Sequence, residues 1–322
     1  MAGVERRLLS FSDLNGWATD DHGPALAAFL ETCGDLKEPE WQPICHVARQ
    51  SPNPRLFFET FFHPILIEDG EPMVFTGYFE PELNGSRVQT GPYQTPLYAL
   101  PPDLVPGDGA PTRKDIDQGA LAGRGLEIVW VDNPVEAFFL QVQGSGRVRL
   151  TDGSVMRVGY HGANGYPYKS IGQELIRRGI LSEHKVSAQG ISKWVQANPE
   201  QGRELLWHNP SYVFFRRVDQ VPAEKGPLGA MNRSITTLRS IAVDPSFNKL
   251  GAPVWIEKGG HQPMNRLMVA QDTGSAIKGA QRADIFFGTG DDAGQAAGRI
   301  KDPGRMVVLL PTRLAFAAVG ED

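Results

Sequence analysis

The hydrophobic pattern of the chain changes period along its length. The run DDHGPALAAFLETC spaces its apolar residues at helical intervals behind an acidic cap, and WQPICHVARQ and PRLFFETFF follow, so about the first 65 residues are predicted helical. From Pro72 the pattern becomes that of strands: PMVFTGYFEPEL and PLYALPP are rich in the aromatic and β-branched residues that fit a pleated surface. The prolines ending the second run cannot continue a central strand, and the turn-rich connector PPDLVPGDGAPTRKD predicts a boundary near Leu104.

A second β region is predicted from LEIVWVDN through AFFLQVQGSGRVRLTDGSVMRVGYHG, with Asp152 and Gly153 at a hairpin turn. Ser170, with Gln173 three positions on, opens a helical stretch that continues through ISKWVQANP and EQGRELLWHNP. After SYVFFRRV the chain returns to short strands: RSIAVDP, APVWIEK, RLMVAQDTGSAI, RADIFFGTG and MVVLLPT. This order predicts a discontinuous unit made of residues 1–104 and 217–322, with residues 105–216 inserted as a second unit and a cleft between the two. A length of 322 residues is sufficient for two cores.

Composition narrows the class. Hydrophobic residues at 41% and charged residues at 21% are those of a globular chain, and 36 glycines with 25 prolines in no regular period favour a mainly β architecture with many turns. A net charge of −5 without a Lys/Arg run excludes a phosphate-tracking surface, so no nucleic-acid partner is expected. No apolar stretch is long enough to span a bilayer, and MAGVERRLLSFSDLNGW lacks an apolar signal core, so an export or anchoring segment would lie upstream. Cys33 and Cys45 either pair in an oxidising compartment or remain buried thiols, and spacing does not choose between these.

The richest set of titratable groups lies in VAQDTGSAIKGAQRADIFFGTGDDAG. Asp272 and Asp284 stand at the edges of apolar strands, and Asp244 in SIAVDPS has the same setting. Three carboxylates in one partly dry site would push at least one pKa upward, as an acid catalyst at neutral pH needs; the alternative is three aspartates that cap turns. The single D-T-G at Asp272 has no second copy, which argues against an aspartic protease, and Gly288, Gly290 and Gly294 have the wrong spacing for a dinucleotide loop. No histidine pair has metal-ligand spacing and no G-x-S-x-G elbow occurs, so neither a metal nor a cofactor is expected. Aromatic residues beside glycines suit sugar rings: Thr76, Gly77, Tyr78 and Glu80 form one such patch and Gln143, Gly144, Ser145 and Gly146 another, with Lys278 as a further substrate contact.

Taken together, TGYFEPEL, VDNPVEAFFLQVQGSGRVRLTDGSVMRVGYHGANGYPYKSIGQELI, NPSYVFFR, GPLGA, RSIAVDP and AQDTGSAIKGAQRADIFFGTGDDAG resemble the membrane-bound lytic transglycosylase A family, MltA, with its C-terminal three-aspartate domain. The resemblance implies a double-psi β-barrel from the N- and C-terminal parts, a smaller inserted β-barrel, peripheral helices and a large groove. It implies an exolytic transglycosylase that cuts peptidoglycan glycan strands between N-acetylmuramic acid and N-acetylglucosamine and forms 1,6-anhydro ends. In that family pattern Asp284 is the catalytic acid and base, with Asp272 and Asp244 supporting it. It further implies a periplasmic, outer-membrane-associated protein that meets wall-synthesis proteins; because no extended apolar heptad is present, a monomer is expected.

Overall fold

Two β-sheets carry the fold of the computed structural model, which describes residues 3–182 and 186–320. In chain order the strands are β1 (Glu5–Leu8), β2 (Phe62–Glu68), β3 (Val74–Glu80), β4 (Glu82–Ser86), β5 (Thr95–Tyr98), β6 (Glu127–Val131), β7 (Ser145–Leu150) and β8 (Val155–Ala163). There follow β9 (Val213–Arg217), β10 (Ser240–Val243), β11 (Pro253–Lys258), β12 (Met264–Asp272), β13 (Arg282–Thr289), β14 (Lys301–Asp302) and β15 (Gly304–Pro311). The helices are α1 (Gly23–Thr32), α2 (Gln42–Ala48), α3 (Pro54–Phe61), α4 (Arg113–Asp117) and α5 (Pro134–Gln143). They continue as α6 (Ile171–Arg177), α7 (Ala188–Ala197), α8 (Pro199–Trp207), α9 (Asp291–Ala297) and α10 (Thr312–Val319).

The chain divides into two units. The first comprises residues 1–79, 223–288 and 292–322, and the second residues 80–222 and 289–291. The boundary therefore falls after Phe79 and not at the Leu104 expected from the proline-rich connector. The reason is pairing: β4 runs parallel to β7 and antiparallel to β6, and β5 pairs with β6, so both belong to the second sheet. The connector is a loop within that unit.

The first unit holds a nine-stranded mixed sheet in the order β1-β2-β15-β11-β12-β10-β13-β3-β14. No pairing among the described residues joins its outer strands into a closed barrel. One face is covered by α1, α2 and α3; Phe29, the α2 N-cap Trp41, Phe57 and Phe58 pack with Phe62 and Trp255 in a core with almost no exposed surface. Phe29 and Phe62 meet edge to face at 5.9 Å, a favoured geometry for aromatic pairs. β1 and the first half of β2 fall inside the stretch of about 65 residues expected to be helical. FHPILIE is a short, almost continuously buried run, a pattern that periodicity cannot separate from a buried helix.

The second unit holds a six-stranded sheet in the order β5-β6-β4-β7-β8-β9, and an isolated bridge between Ala99 and Phe215 ties its two ends at one point. The expected hairpin forms at Gly153, whose φ of 83° is left-handed and free of penalty only in glycine. AFFLQVQ, expected as a strand, is the body of α5. Asn133 caps that helix by accepting from the amides of Val135 and Glu136, with Pro134 as its first residue, a start signal stronger than the apolar run behind it.

Cys33 and Cys45 form a disulfide joining the end of α1 to α2. Closing so short a loop restricts the unfolded chain by an amount worth about 3 kcal/mol. The Cys33→Ser/Cys45→Ser double variant is therefore expected to lose about 2–3 kcal/mol of stability in the first unit, as measured by urea unfolding, and dithiothreitol is expected to lower the wild type to the same value.

Candidate active site

The site rests on one short strand, β10. Its Ala242 pairs with Asp272 of β12 on one side, in parallel, and with Asp284 of β13 on the other, antiparallel. Two strand spacings thus separate the two carboxylate-bearing backbones, about 10 Å in all. The β10–β12 ladder shifts register between Ile241 and Ala242, a bulge at the level of Asp272 that re-aims the side chains there.

Alternation decides which way each side chain points. Gln271, buried, turns toward the helices: its Nε2 donates to the Ala28 carbonyl at 2.7 Å and to Thr32 Oγ1 at 2.9 Å, while its Oε1 accepts from Ser240 Oγ at 2.5 Å. The next residue, Asp272, is thereby directed to the opposite face. There its Oδ1 accepts from the amides of Ala230 (3.0 Å) and Thr273 (2.9 Å), and its Oδ2 accepts from the Tyr78 hydroxyl at 2.9 Å. Tyr78 comes from β3, the neighbour of β13 in the sheet.

Asp284 receives a different environment. Thr76 Oγ1, also from β3, donates to Asp284 Oδ1 at 2.7 Å and accepts from Arg282 Nη2 at 2.9 Å. Arg282 lies two residues before Asp284 and so on the same face of β13; its Nη1 donates to the carbonyls of Val74 and Ala283. A guanidinium can only donate, so the threonine hydroxyl is left to donate onward to Asp284. Among the described residues Arg282 makes no ion pair with Asp284. It reaches that carboxyl through Thr76.

Desolvation raises the pKa of Asp284 to about 6, opposed by the Thr76 hydrogen bond and the Arg282 charge and assisted by the nearby charge of Asp272. Desolvation likewise raises Asp272 to about 6 against its three donors. Burial, then the Asp272 charge, pushes the Tyr78 phenol far above its ordinary value, so it remains a donor at all accessible pH. Asp244 departs from the expectation of a third raised acid. Burial pushes it upward, but the amides of Gly279 (2.9 Å) and Ser246 (3.0 Å) outweigh this and hold its pKa below the ordinary carboxylate value. It pins the turn after β10 to the approach of β13 and is not part of the Asp272–Asp284 hydrogen-bond set.

The expected sugar-binding residues separate into several settings. Thr76 and Tyr78 are engaged with the carboxyls. At Gly77 a Cβ would stand 2.8 Å from the Ala297 backbone and from Phe287, so glycine there admits the end of α9. Glu80 is fully buried: Arg147 Nε lies 2.9 Å from its Oε2, Arg157 Nε lies 2.9 Å from its Oε1, and Thr289 Oγ1 donates at 2.8 Å. Its charge is matched by two guanidinium groups, which makes it a structural hub and corrects its expected substrate contact. In the second patch, Gln143 ends α5, Gly144 is its left-handed C-cap at φ 81°, Ser145 opens β7, and Gly146 is packed on Leu140 and Pro81. Lys278 is exposed on the turn before β13, where its charge acts on Asp244. Arg282 was missed by the sequence reading, although the two-residue spacing in R-A-D signals that it shares a face with Asp284.

Comparison with known proteins defines the class first. Residues 74–216 match the MltA specific insert domain and residues 239–310 the 3D domain, which contains all three aspartates. The membrane-bound lytic murein transglycosylase A of Vibrio cholerae is 36% identical over 246 residues, covering 73% of this chain but 64% of that protein. The match thus spans under two thirds of the length of the curated relatives. A membrane-bound lytic murein transglycosylase from Agrobacterium tumefaciens superposes with a TM-score of 0.86 at 33% identity, covering 98% of this chain and 99% of that one. The Escherichia coli MltA structure with bound chitohexaose gives 0.76 at 28% identity, covering 93% and 91%. The chain belongs to the membrane-bound lytic murein transglycosylase A family.

The raised carboxyls tie stability to pH. A carboxyl whose folded pKa is about 6 against an ordinary value near 4 binds its proton more tightly when folded, so its contribution is fully present below about pH 4 and lost as pH rises through 6. Asp284→Asn and Asp272→Asn, which have no charge to desolvate, are each expected to be about 1–2 kcal/mol more stable than wild type at pH 7, with the gap closing by about pH 4. Thermal unfolding across that range checks this; a gap that does not change with pH would contradict it.

Proposed function

We propose that the chain is a lytic transglycosylase that cleaves the β-1,4 bond between N-acetylmuramic acid and N-acetylglucosamine without water, leaving 1,6-anhydromuramic acid ends. The observation that carries this reading is a carboxyl raised to about 6 to whose Oδ1 the Thr76 hydroxyl donates. With Oδ1 occupied by the Thr76 hydroxyl, the acidic proton of Asp284 resides on Oδ2, free to be given away. In the first step Asp284 protonates the glycosidic oxygen as the C1–O4 bond breaks, releasing the N-acetylglucosamine alcohol. In the second, the muramoyl C6 oxygen forms a bond to C1 and its proton passes to the Asp284 carboxylate, which restores the enzyme. No water is consumed.

Asp272 supports the reaction electrostatically in this reading: ionised, its negative charge stabilises the oxocarbenium-like state across Ala242, and Tyr78 holds it there. Asp244 contributes by fixing the turn that leads into β13. The family's double-psi β-barrel is our reading of the first unit's mixed sheet, in which β10 runs parallel to β12. The substrate is peptidoglycan glycan, the place the periplasm beside the outer membrane, and the working form a monomer that meets wall-synthesis proteins. The Cys33–Cys45 disulfide is in keeping with an oxidising compartment.

One observation favours a second reading, hydrolysis by a carboxyl pair: Asp272 is also raised to about 6 and stands level with Asp284. Against it, both oxygens of Asp272 are already bonded to protein donors, which leaves it poorly placed to activate water. Mass spectrometry of sacculus digests separates the two, since hydrolysis yields reducing muramic acid ends.

Asp284→Asn is expected to lower turnover by about 10²- to 10⁴-fold, with anhydro ends from wild type and none from the variant. Because the acid must carry its proton, kcat/KM is expected to fall about tenfold per unit above pH 6. Thr76→Val removes a hydrogen bond that favours the carboxylate, so the falling limb of its pH profile is expected to move to higher pH, while Thr76→Ser leaves it in place.

A further inference from the structure

The second unit contains a cleft of about 1240 Å³ whose lining belongs to that unit alone. Its floor is Arg113, which is 4% exposed yet makes no ion pair among the described residues. The guanidinium is clamped between rings, 4.5 Å from the centroid of Phe138 and 5.2 Å from that of Tyr212. Its Nη2 donates to Gln141 Oε1 and the Ser211 carbonyl, both at 2.7 Å, and its Nε to the Asn209 carbonyl at 3.2 Å. Nη1 has no acceptor among the described residues. A buried, rigidly held cation with one unused donor edge in a cleft is a site for an anionic acceptor, and the planar group suits a carboxylate.

The walls carry the complementary chemistry. Asp117 accepts from Trp207 Nε1 at 2.9 Å, which fixes that indole, and desolvation raises the Asp117 carboxyl. Trp130 supplies a second indole, and Asp132 and Glu136 place further carboxyls around the cleft. Three carboxyls outnumber the one further cation of the lining, Arg203, whose charge acts on Asp117, so the walls are acidic on balance and attract an ammonium group, while the indoles give apolar surface to an aliphatic chain between the two charges.

We infer that this cleft binds the peptide stem of peptidoglycan, with a stem carboxylate on Arg113 Nη1 and a stem ammonium against Asp117 and Glu136. The inference rests on the reading of peptidoglycan as the substrate and deepens it by adding a peptide contact to the glycan contact. The cleft holds the substrate; it performs no bond chemistry.

Isothermal titration of the wild-type chain with an N-acetylmuramoyl tetrapeptide tests this, because that ligand has no glycosidic bond and its binding is read whether or not Asp284 acts as an acid. The free acid is expected to bind, amidation of its carboxylates to weaken binding at least about tenfold, and Arg113→Gln to remove it. Glu136→Gln, at an exposed position that leaves the floor intact, is expected to weaken binding about threefold and keeps the test informative if Arg113→Gln does not fold. Equal binding of the amidated and free ligands, indifference to Glu136→Gln, or no binding of the free acid would overturn the inference. Failure of the transglycosylase reading would instead show as an absence of anhydro ends in the sacculus digest, with the titration unaffected.

Discussion

The pairing of Ala242 with both Asp272 and Asp284 is the constraint on which the site depends. A carboxylate inside a sheet is costly to desolvate, and two of them on either side of one strand add repulsion to that cost. The sheet tolerates them because everything around β10 is fixed independently. Gln271 fastens the end of β12 to α1, and behind it lies the aromatic layer of Phe29, Phe58, Phe62 and Trp255. Moving either aspartate would require shifting a strand whose other face is packed like a crystal. The pKa values near 6 are therefore enforced by the core.

Within that frame the two carboxyls are made unlike by their neighbours. Asp272 accepts three hydrogen bonds that engage both oxygens, whereas Asp284 accepts one, on Oδ1. Arg282, which has no acceptor capacity, donates to Thr76 and leaves the hydroxyl proton available to Asp284. Two aspartates with similar pKa values are thus distinguishable by which oxygen remains available. In the proposed mechanism the assignment of acid chemistry to one position and charge stabilisation to the other rests on this difference in bonding, and not on a difference in burial.

The sequence made much of this legible. The strands holding Asp272 and Asp284 are visible in RLMVAQDTG and RADIFFGTG because apolar runs ended by turn residues carry their own boundary signal. The sign of the Asp244 shift was not legible, since it depends on amides of Ser246 and Gly279 that only the folded turn brings to the carboxyl. AFFLQVQ reads as a strand by composition, but Asn133 and Pro134 in front of it hold the helix-start signal that decides the outcome. The Leu104 boundary failed because prolines mark turns without saying whether a turn lies between units or within one. Arg113 carries no motif at all; its meaning comes from Phe138, Gln141 and Tyr212, which are distant in sequence.

Glu80 and Asp284 show how the same group is given opposite uses. Both are carboxyls held by protein on several sides, and each has arginine nearby. Glu80 is met directly by Arg147 and Arg157, and breaking such a buried pair typically costs about 3–5 kcal/mol, so its place is structural. Asp284 has Arg282 two residues away, but that guanidinium spends its donors on two carbonyls and on Thr76. Had it reached Asp284, the ion pair would have pulled the pKa down and left still less of the protonated form that acid chemistry requires. With a hydroxyl interposed between guanidinium and carboxyl, the Arg282 charge still acts on Asp284 but does not outweigh desolvation, and that single substitution of contact separates a structural carboxylate from one suited to acid chemistry.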